Sequence, residues 1–311
     1  MAAVNNHSIA EQAQCYWRTT NSKNTLVRVL QRMLAKTGVA KNDSVLVIGG
    51  GNIDIVLLET VGLTNYTLSN LTNLALARTD RGDSGSLLNV EDLRLEDNSF
   101  DVVFAHDVLH HCYTPHKAVR EMMRVANRCV IFFDPNDSAF MRALVRLNFS
   151  FPYETGVVAS MDYRGGGVMG SAIPNYTFRW TPRELEKTAN CAMPARIIKS
   201  IGYPYWDFLV NEDGLKLRRE TRIGTITRIV GASNFLRFLR LIQSLLNLWG
   251  PVRRQGNKFC GVIVKGPLQP WMTSDGRALS PDWKFNIDDS LTEFCRAKLM
   301  SQESGPMGPE K

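Results

Sequence analysis

Three groups of residues in this chain have the types and spacing to do chemistry. Gly49-Gly50-Gly51 follows the apolar run Val45 to Ile48 and precedes another, Ile55 to Leu58. A buried strand that runs into glycines before a helix brings a ligand close to bare backbone, and the helix N–H groups suit a nucleotide-like molecule there. His106, Asp107, His110 and His111 stand together after a second apolar run, Val102 to Ala105. Either of the paired imidazoles could take a proton from a hydroxyl acceptor. Asp134 ends a third apolar run, Cys129 to Phe133, where it could orient a substrate. Each group also has a structural reading. Glycine turns follow many buried strands, a His pair can pack the loop before Thr114, and Asp134-Pro135-Asn136 is an ordinary turn that opens a helix.

The glycines fail the dinucleotide fingerprint, because Asp54 stands where its third glycine belongs and no acid ends the next strand. A nicotinamide oxidoreductase is therefore disfavoured. No nucleophilic triad and no His-Glu-x-x-His pattern is present, and no metal is expected. The six cysteines are scattered, with no Cys-x-x-Cys pair, so neither a zinc site nor a disulfide framework is indicated. The expected setting is reducing and cytoplasmic, and the polar stretch Met1 to Cys15 lacks a charged-then-apolar signal pattern. No apolar run reaches the length of a membrane span. The net charge of +7 permits an anionic partner without demanding nucleic acid.

The elements that must position these groups alternate. An amphipathic helix over 25–36 precedes a strand at 44–49, and a second helix follows the glycines. Strands are expected at 65–71, 87–90, 102–105 and 129–133, with helices from Thr114-Pro115 and over 138–147. Alternation of this kind builds a doubly wound parallel sheet. Thr181 and Glu184 form a capping box for a helix. Strands at 196–201 and 259–264 flank an insertion of roughly fifty residues, long enough to need structure of its own. Its first half is basic, with Lys216, Arg218, Arg219, Arg222 and Arg228; its second, 234–249, is an amphipathic helix. That helix could be a lid, a homodimer surface or an interfacial membrane anchor; the plainer reading packs it on its own domain. The division read from the sequence is 1–40, an N-terminal helical segment; 41–148, the ligand-binding half; 149–268, substrate-side insertions and final strands; and 269–311, an extension with a disordered end.

Leu93, Asp97 to Asp101, Val103 and Val108 to His111, at their distance from the glycines, resemble class I S-adenosylmethionine-dependent methyltransferases. The subgroup is type 11, which includes the ubiquinone/menaquinone C-methylases, and the resemblance covers about residues 40–136. It implies an α/β, Rossmann-like seven-stranded sheet whose last strand is antiparallel, with helical insertions. It also implies S-adenosyl-L-methionine as cofactor, held by Gly49, Gly50, Gly51, Asn70, Asn89, Val90 and His106. His110 and His111 become the catalytic candidates, and Asp134, Tyr153 and Tyr176 the substrate-side candidates. The acceptor would be a small molecule, anionic or lipid-linked, methylated at oxygen or carbon. The Asn/Asp-Pro-Pro-aromatic pattern of nucleic-acid amino-methylases does not follow the fourth strand, so no nucleic acid is expected. The chain departs from the family at Val47, Ile53, Asn70 and Asn89; Asn70 and Asn89 stand where acids bind ribose and adenine. These departures leave a second reading, a methyltransferase-fold protein that binds or scaffolds without catalysis.

Overall fold

The computed structural model describes residues 22–71, 86–208, 222–281 and 283. The expected disordered end, the N-terminal residues 1–21, and Lys216, Arg218 and Arg219 of the basic run lie outside them.

Among the described residues the first half holds α1 (Ser22–Leu34), β1 (Val45–Ile48), α2 (Asn52–Thr60), β2 (Tyr66–Asn70), β3 (Ser86–Leu87), β4 (Phe100–His106), α3 (Pro115–Val125), β5 (Ala126–Pro135) and α4 (Ala139–Arg146). Then come α5 (Thr155–Ser160), α6 (Pro182–Ala192), β6 (Arg196–Tyr205), α7 (Arg222–Val230), α8 (Ala232–Leu248), α9 (Gly250–Arg253) and β7 (Lys258–Leu268). The sheet order is β3-β2-β1-β4-β5-β7-β6. β1 pairs in parallel with β2 and β4, and β5 with β4, while β7 runs antiparallel to β5. The fold is the seven-stranded Rossmann-like sheet that the sequence implied. The chain order reverses between β1 and β4, and the carboxyl ends there open the crevice that suits a ligand.

Both faces of the central strands are buried, which is why they read as continuous apolar runs. Leu46, Val103, Val130 and Phe132 face one side, where α3 sends Val119, Met122 and Met123 and α6 sends Leu185 and Ala189. Val45, Val47, Phe104 and Ile131 face the other, covered by Leu26, Leu30 and Met33 of α1 and by Ile55 and Leu58 of α2.

Two helix starts differ from expectation. The Thr114 side chain does not cap α3; its N–H donates instead to Glu91 Oε1. At α6 the Thr181 hydroxyl accepts from Glu184 N at 3.0 Å, but the Glu184 carboxylate turns to His116 Nε2, also at 3.0 Å. The third strand is shorter than the 87–90 segment; Asn89 leaves it to form a turn in which its Oδ1 accepts from Glu91 N at 2.9 Å.

Arg124 ties the polar turn ahead of β4 to α3. Its guanidinium donates to Leu93 O, Leu95 O, Asp97 Oδ1 and both Glu121 oxygens, at 2.5 to 3.1 Å. An Arg124→Met variant keeps the stem and loses every donor, and should cost about 2 kcal/mol in urea unfolding. A loss below the ~0.5 kcal/mol of an ordinary surface change would refute that role.

Residues from Leu268 onward form a separate compact unit. Its described part is a tight turn in which Met272 bridges Leu279 and Trp271 packs edge-on against Trp283.

Candidate functional site

Gly49 ends β1 at φ +63°, a conformation that only glycine adopts without strain. Beyond it the bend is filled from within. A Cβ at Gly49 would meet Val108 Cγ2 at 2.5 Å, and one at Gly50 would meet Leu68 and Val47 at 3.0 Å. Gly50 N donates to Ser69 O at 2.9 Å, and Gly51 N donates to Asp54 Oδ2 at 2.8 Å. Asp54 thus occupies the start of α2 with its own carboxylate, and its other oxygen holds His106 Nδ1 at 2.9 Å. The sequence suggested N–H groups turned toward a ligand; at Gly50 and Gly51 the chain has already engaged them.

The open space lies beside Gly49. A cavity of about 400 Å³ sits on the carboxyl ends of the strands. Ile48 and Gly49 come from β1, Asn70 and Leu71 from the end of β2, Leu88 and Val90 from beyond β3, and Asp107, Val108, His111 and Cys112 from beyond β4. Its roof is α5 and the segment after it: Val157, Met161, Arg164, Gly165, Gly166, Gly167, Met169 and Gly170. This roof needs glycine at 167 for a different reason. A Cβ there would sit 1.8 Å from Ile173 O, where Val168 N pairs with that carbonyl at 2.9 Å. Met169 is held at φ 49°, and such strained residues cluster at ligand clamps.

Four sequence-nominated residues therefore line one cavity: Gly49, Asn70, Val90 and His111. Gly51 and His106 are not in its lining but share the Asp54 carboxylate, and Gly50, also outside the lining, pairs with Ser69 O. Asn89 is used in its turn. His110 and Asp134 lie beneath, at 4% and 0% exposure. Tyr153 and Tyr176 pack on each other, with ring centroids 5.5 Å apart, and are half exposed; Tyr176 borders a separate depression with Arg142 and Arg146.

Beneath the cavity His110 joins two carboxylates. Its Nδ1 bonds Asp134 Oδ1, and its Nε2 lies 3.4 Å from Glu154 Oε2. Trp180 Nε1 donates to Asp134 Oδ2 at 3.1 Å, and Asn175 Nδ2 to Glu154 Oε2 at 3.4 Å. Burial alone would lower the His110 pKa, but the charge and hydrogen bond of Asp134, followed by those of Glu154, raise it to about 10. His110 is an imidazolium at neutral pH and has no lone pair to offer. For Glu154, burial works against the charge, yet His110 outweighs it and holds the carboxyl at about 2. His111, stacked 4.4 Å from His110, is shifted the other way, by burial first and then by the neighbouring imidazolium. It is the neutral imidazole on the cavity wall. Burial, with the charges of Glu91 and Asp134, keeps the Cys112 thiol protonated.

Asp107, at φ 53°, holds Lys258 Nζ from the start of β7 at 2.6 and 2.8 Å. That pairing, following a burial penalty, keeps the carboxyl well below its usual range. His110, His111 and Glu154 bring ligand atoms within 4.8 Å of one another. A metal there would have to displace the His110 proton, which two carboxylates hold.

Glu154, Arg164 and Lys258 were not singled out from sequence. The Gly165-Gly166-Gly167 run was the visible sign of the roof.

Residues 48–133 match a family model described as a methyltransferase domain, Methyltransf_11. No curated protein gives a significant match. Among solved structures, a chain of the complex between the Haloferax volcanii Trm112 methyltransferase activator and a putative methyltransferase is 14% identical. That match covers 83% of this chain and 96% of the other, with a TM-score of 0.46. A putative sarcosine dimethylglycine methyltransferase from Galdieria sulphuraria is 17% identical, covering 77% and 83%, with a TM-score of 0.40. Magnesium protoporphyrin IX methyltransferase from Synechocystis PCC 6803, solved with S-adenosylhomocysteine, is 12% identical, covering 79% and 84%, with a TM-score of 0.42. Residues 48–133, which hold the glycine bend, β4 and the histidine cluster, are thus the part of the chain that is similar to the methyltransferase domain of that family model.

Proposed function

We propose that the chain transfers a methyl group from S-adenosyl-L-methionine to a small-molecule acceptor, at oxygen or carbon. The observation that carries this reading is the cavity beside Gly49, on the strand ends of the methyltransferase segment. Its volume lies within the range of about 300–1,000 Å³ expected of small-ligand sites. Its chemistry fits a cationic nucleoside. Leu71, Leu88 and Val90 offer an apolar wall for a base. Asn70 Oδ1 accepts from Leu71 N at 2.9 Å and keeps a second lone pair for a ribose hydroxyl. Arg164 on the roof suits a carboxylate. The cofactor, when bound, supplies the electrophilic methyl.

The chain's own residues supply position and a proton acceptor. Holding two reactants in line and excluding water is the larger part of such catalysis, and the 157–170 roof shields the cavity. His111 is neutral, lines the wall and can take a proton from a hydroxyl acceptor. Its cationic form would be opposed by His110 and supported by Glu154, whose Oε2 lies 3.6 Å from its Nε2. His110 orients and charges this layer without itself acting as a base.

Calorimetry with S-adenosylmethionine and S-adenosylhomocysteine tests the reading. Binding should stabilise the fold by about 2.7 kcal/mol at a hundredfold excess over Kd. No heat and no thermal shift at millimolar ligand would refute it. His111→Ala should lower kcat for a hydroxyl acceptor by about 10²–10⁴-fold and leave cofactor affinity unchanged. Because the His111 pKa is lowered, activity should hold as pH falls to the usual imidazole value and decline only below it. An unchanged pH profile in the variant would assign the proton elsewhere.

A second reading is a binding or scaffold protein without catalysis. It is favoured by the replacement of ribose- and adenine-binding acids by Asn70 and Asn89, whose oxygens already accept backbone N–H groups. Cofactor binding without turnover across acceptors would support it.

A further inference from the structure

Helix α8 packs on its domain with its amides inward and its leucines outward. Gln243 is 3% exposed; its Nε2 donates to Thr25 Oγ1 at 3.0 Å and its Oε1 accepts from Phe208 N at 2.9 Å. One turn on, Asn247 accepts from Trp206 N and donates to Trp206 O, both at 2.8 Å. With buried Leu236, these residues mark the face toward α1 and the segment that follows β6. At about 100° per residue, Phe238, Leu241, Leu245 and Leu248 project from the opposite side. Leu241, Leu245 and Leu248 are 71%, 65% and 80% exposed, and Trp249 at the helix end is 66% exposed. Ile229 of α7, at 81%, adds to the apolar surface. Among the described residues nothing covers these four large apolar side chains, and a contiguous stripe of this kind marks an interaction surface.

The charge of the segment says what covers it. Between Arg222 and Gly256 there is no Asp or Glu, and there are six arginines. Arg222, Arg228, Arg237 and Arg254 are exposed. A second copy of this chain would bring arginines against arginines across a two-fold axis. An anionic lipid surface instead offers phosphates to the arginines and acyl chains to the stripe, with Trp249 suited to the boundary between them. No single described helix is long and apolar enough to cross a membrane, and α7 and α8 are bent by 109° at Gly231, so the pair suits lying in a surface.

We propose that α7 and α8 dock the chain on an anionic lipid surface, with the Phe238–Leu248 stripe at the acyl boundary and the arginines at headgroup phosphates. The proposal does not depend on methyl transfer.

Co-sedimentation of the full chain with vesicles tests it, using phosphatidylcholine alone and phosphatidylcholine mixed with phosphatidylglycerol. The chain should pellet with the mixed vesicles at least tenfold more strongly, and less so as salt is raised. The triple variant Leu241→Ser, Leu245→Ser, Leu248→Ser should abolish pelleting with an unchanged or higher thermal midpoint, because those side chains support nothing inside the fold. Arg237→Gln with Arg254→Gln should weaken binding to mixed vesicles roughly tenfold or more. Trp249 emission should shift to the blue on binding, and a Trp249→Leu variant should lose that shift while still pelleting. Absence of pelleting with either vesicle, or undiminished pelleting of the leucine variant, would overturn the proposal. So would a concentration-dependent dimer that the leucine variant abolishes, since the stripe would then be covered by a second copy.

Discussion

His110→Leu is expected to destabilise the fold by about 3–5 kcal/mol, measured by urea unfolding in the presence of a chelator. The reason is what it strands. Asp134 is completely buried, and without the imidazolium it keeps, among the described residues, one side-chain donor, Trp180 Nε1. Glu154 loses the partner that holds its carboxyl at about 2. Breaking one side of a buried pair leaves an uncompensated charge, whereas replacing both partners by apolar groups removes the desolvation cost as well. The double variant His110→Leu, Asp134→Leu should therefore be more stable than the single one. The pH dependence has a definite sign. The folded pKa of about 10 lies above the 6.5 of free imidazole, so this stabilisation is fully present below pH 6.5 and lost as pH rises toward 10. Glu154 is the opposite case: its share is present above pH 4.5 and lost as pH falls toward 2. The alkaline decline should flatten in His110→Leu. A single variant that loses less than about 1 kcal/mol would mean that the two carboxylates do not rely on the imidazolium.

Gly49→Ala should cost about 3 kcal/mol and weaken nucleoside binding at least tenfold. Two effects add. The left-handed backbone conformation is strained for alanine, and the new methyl would approach Val108 Cγ2 at 2.5 Å. Val108 is β-branched and has no flexible end to move aside, and it also lines the cavity, so relief comes at the expense of cavity space. Pairing the change with Val108→Ala should return the packing part and leave about 1–2 kcal/mol of backbone strain. Calorimetry with S-adenosylhomocysteine reads the binding part; unchanged affinity in Gly49→Ala would place the ligand away from this wall.

The architecture was legible because its signals are local. Val45 to Ile48, Val102 to Ala105 and Cys129 to Phe133 are buried on both faces, and a run of that kind announces a central parallel strand wherever it occurs. The weak third strand was misjudged at its far end because Asn89 can satisfy a neighbouring backbone N–H and so leaves the ladder. Helix α8 was recognised as amphipathic, yet periodicity gives the stripe and not its direction. The plainer expectation packed the helix on its own domain, and Gln243 and Asn247 do hold it there, which leaves Leu241, Leu245 and Leu248 facing outward.

Residue order by itself determined the seven-stranded α/β sheet and the resemblance of residues 48–133 to a methyltransferase domain, since each follows from runs a few residues long. Only the tertiary structure decided which histidine can accept a proton. His110 and His111 are neighbours with the same side chain, and nothing in their local sequence separates them. Asp134 and Glu154, brought in from other parts of the chain, charge the first, while burial and then that charge favour the neutral form of the second on the cavity wall. Electrostatics acts through space at a few ångströms, so pairings set by folding assign roles that spacing along the chain does not encode.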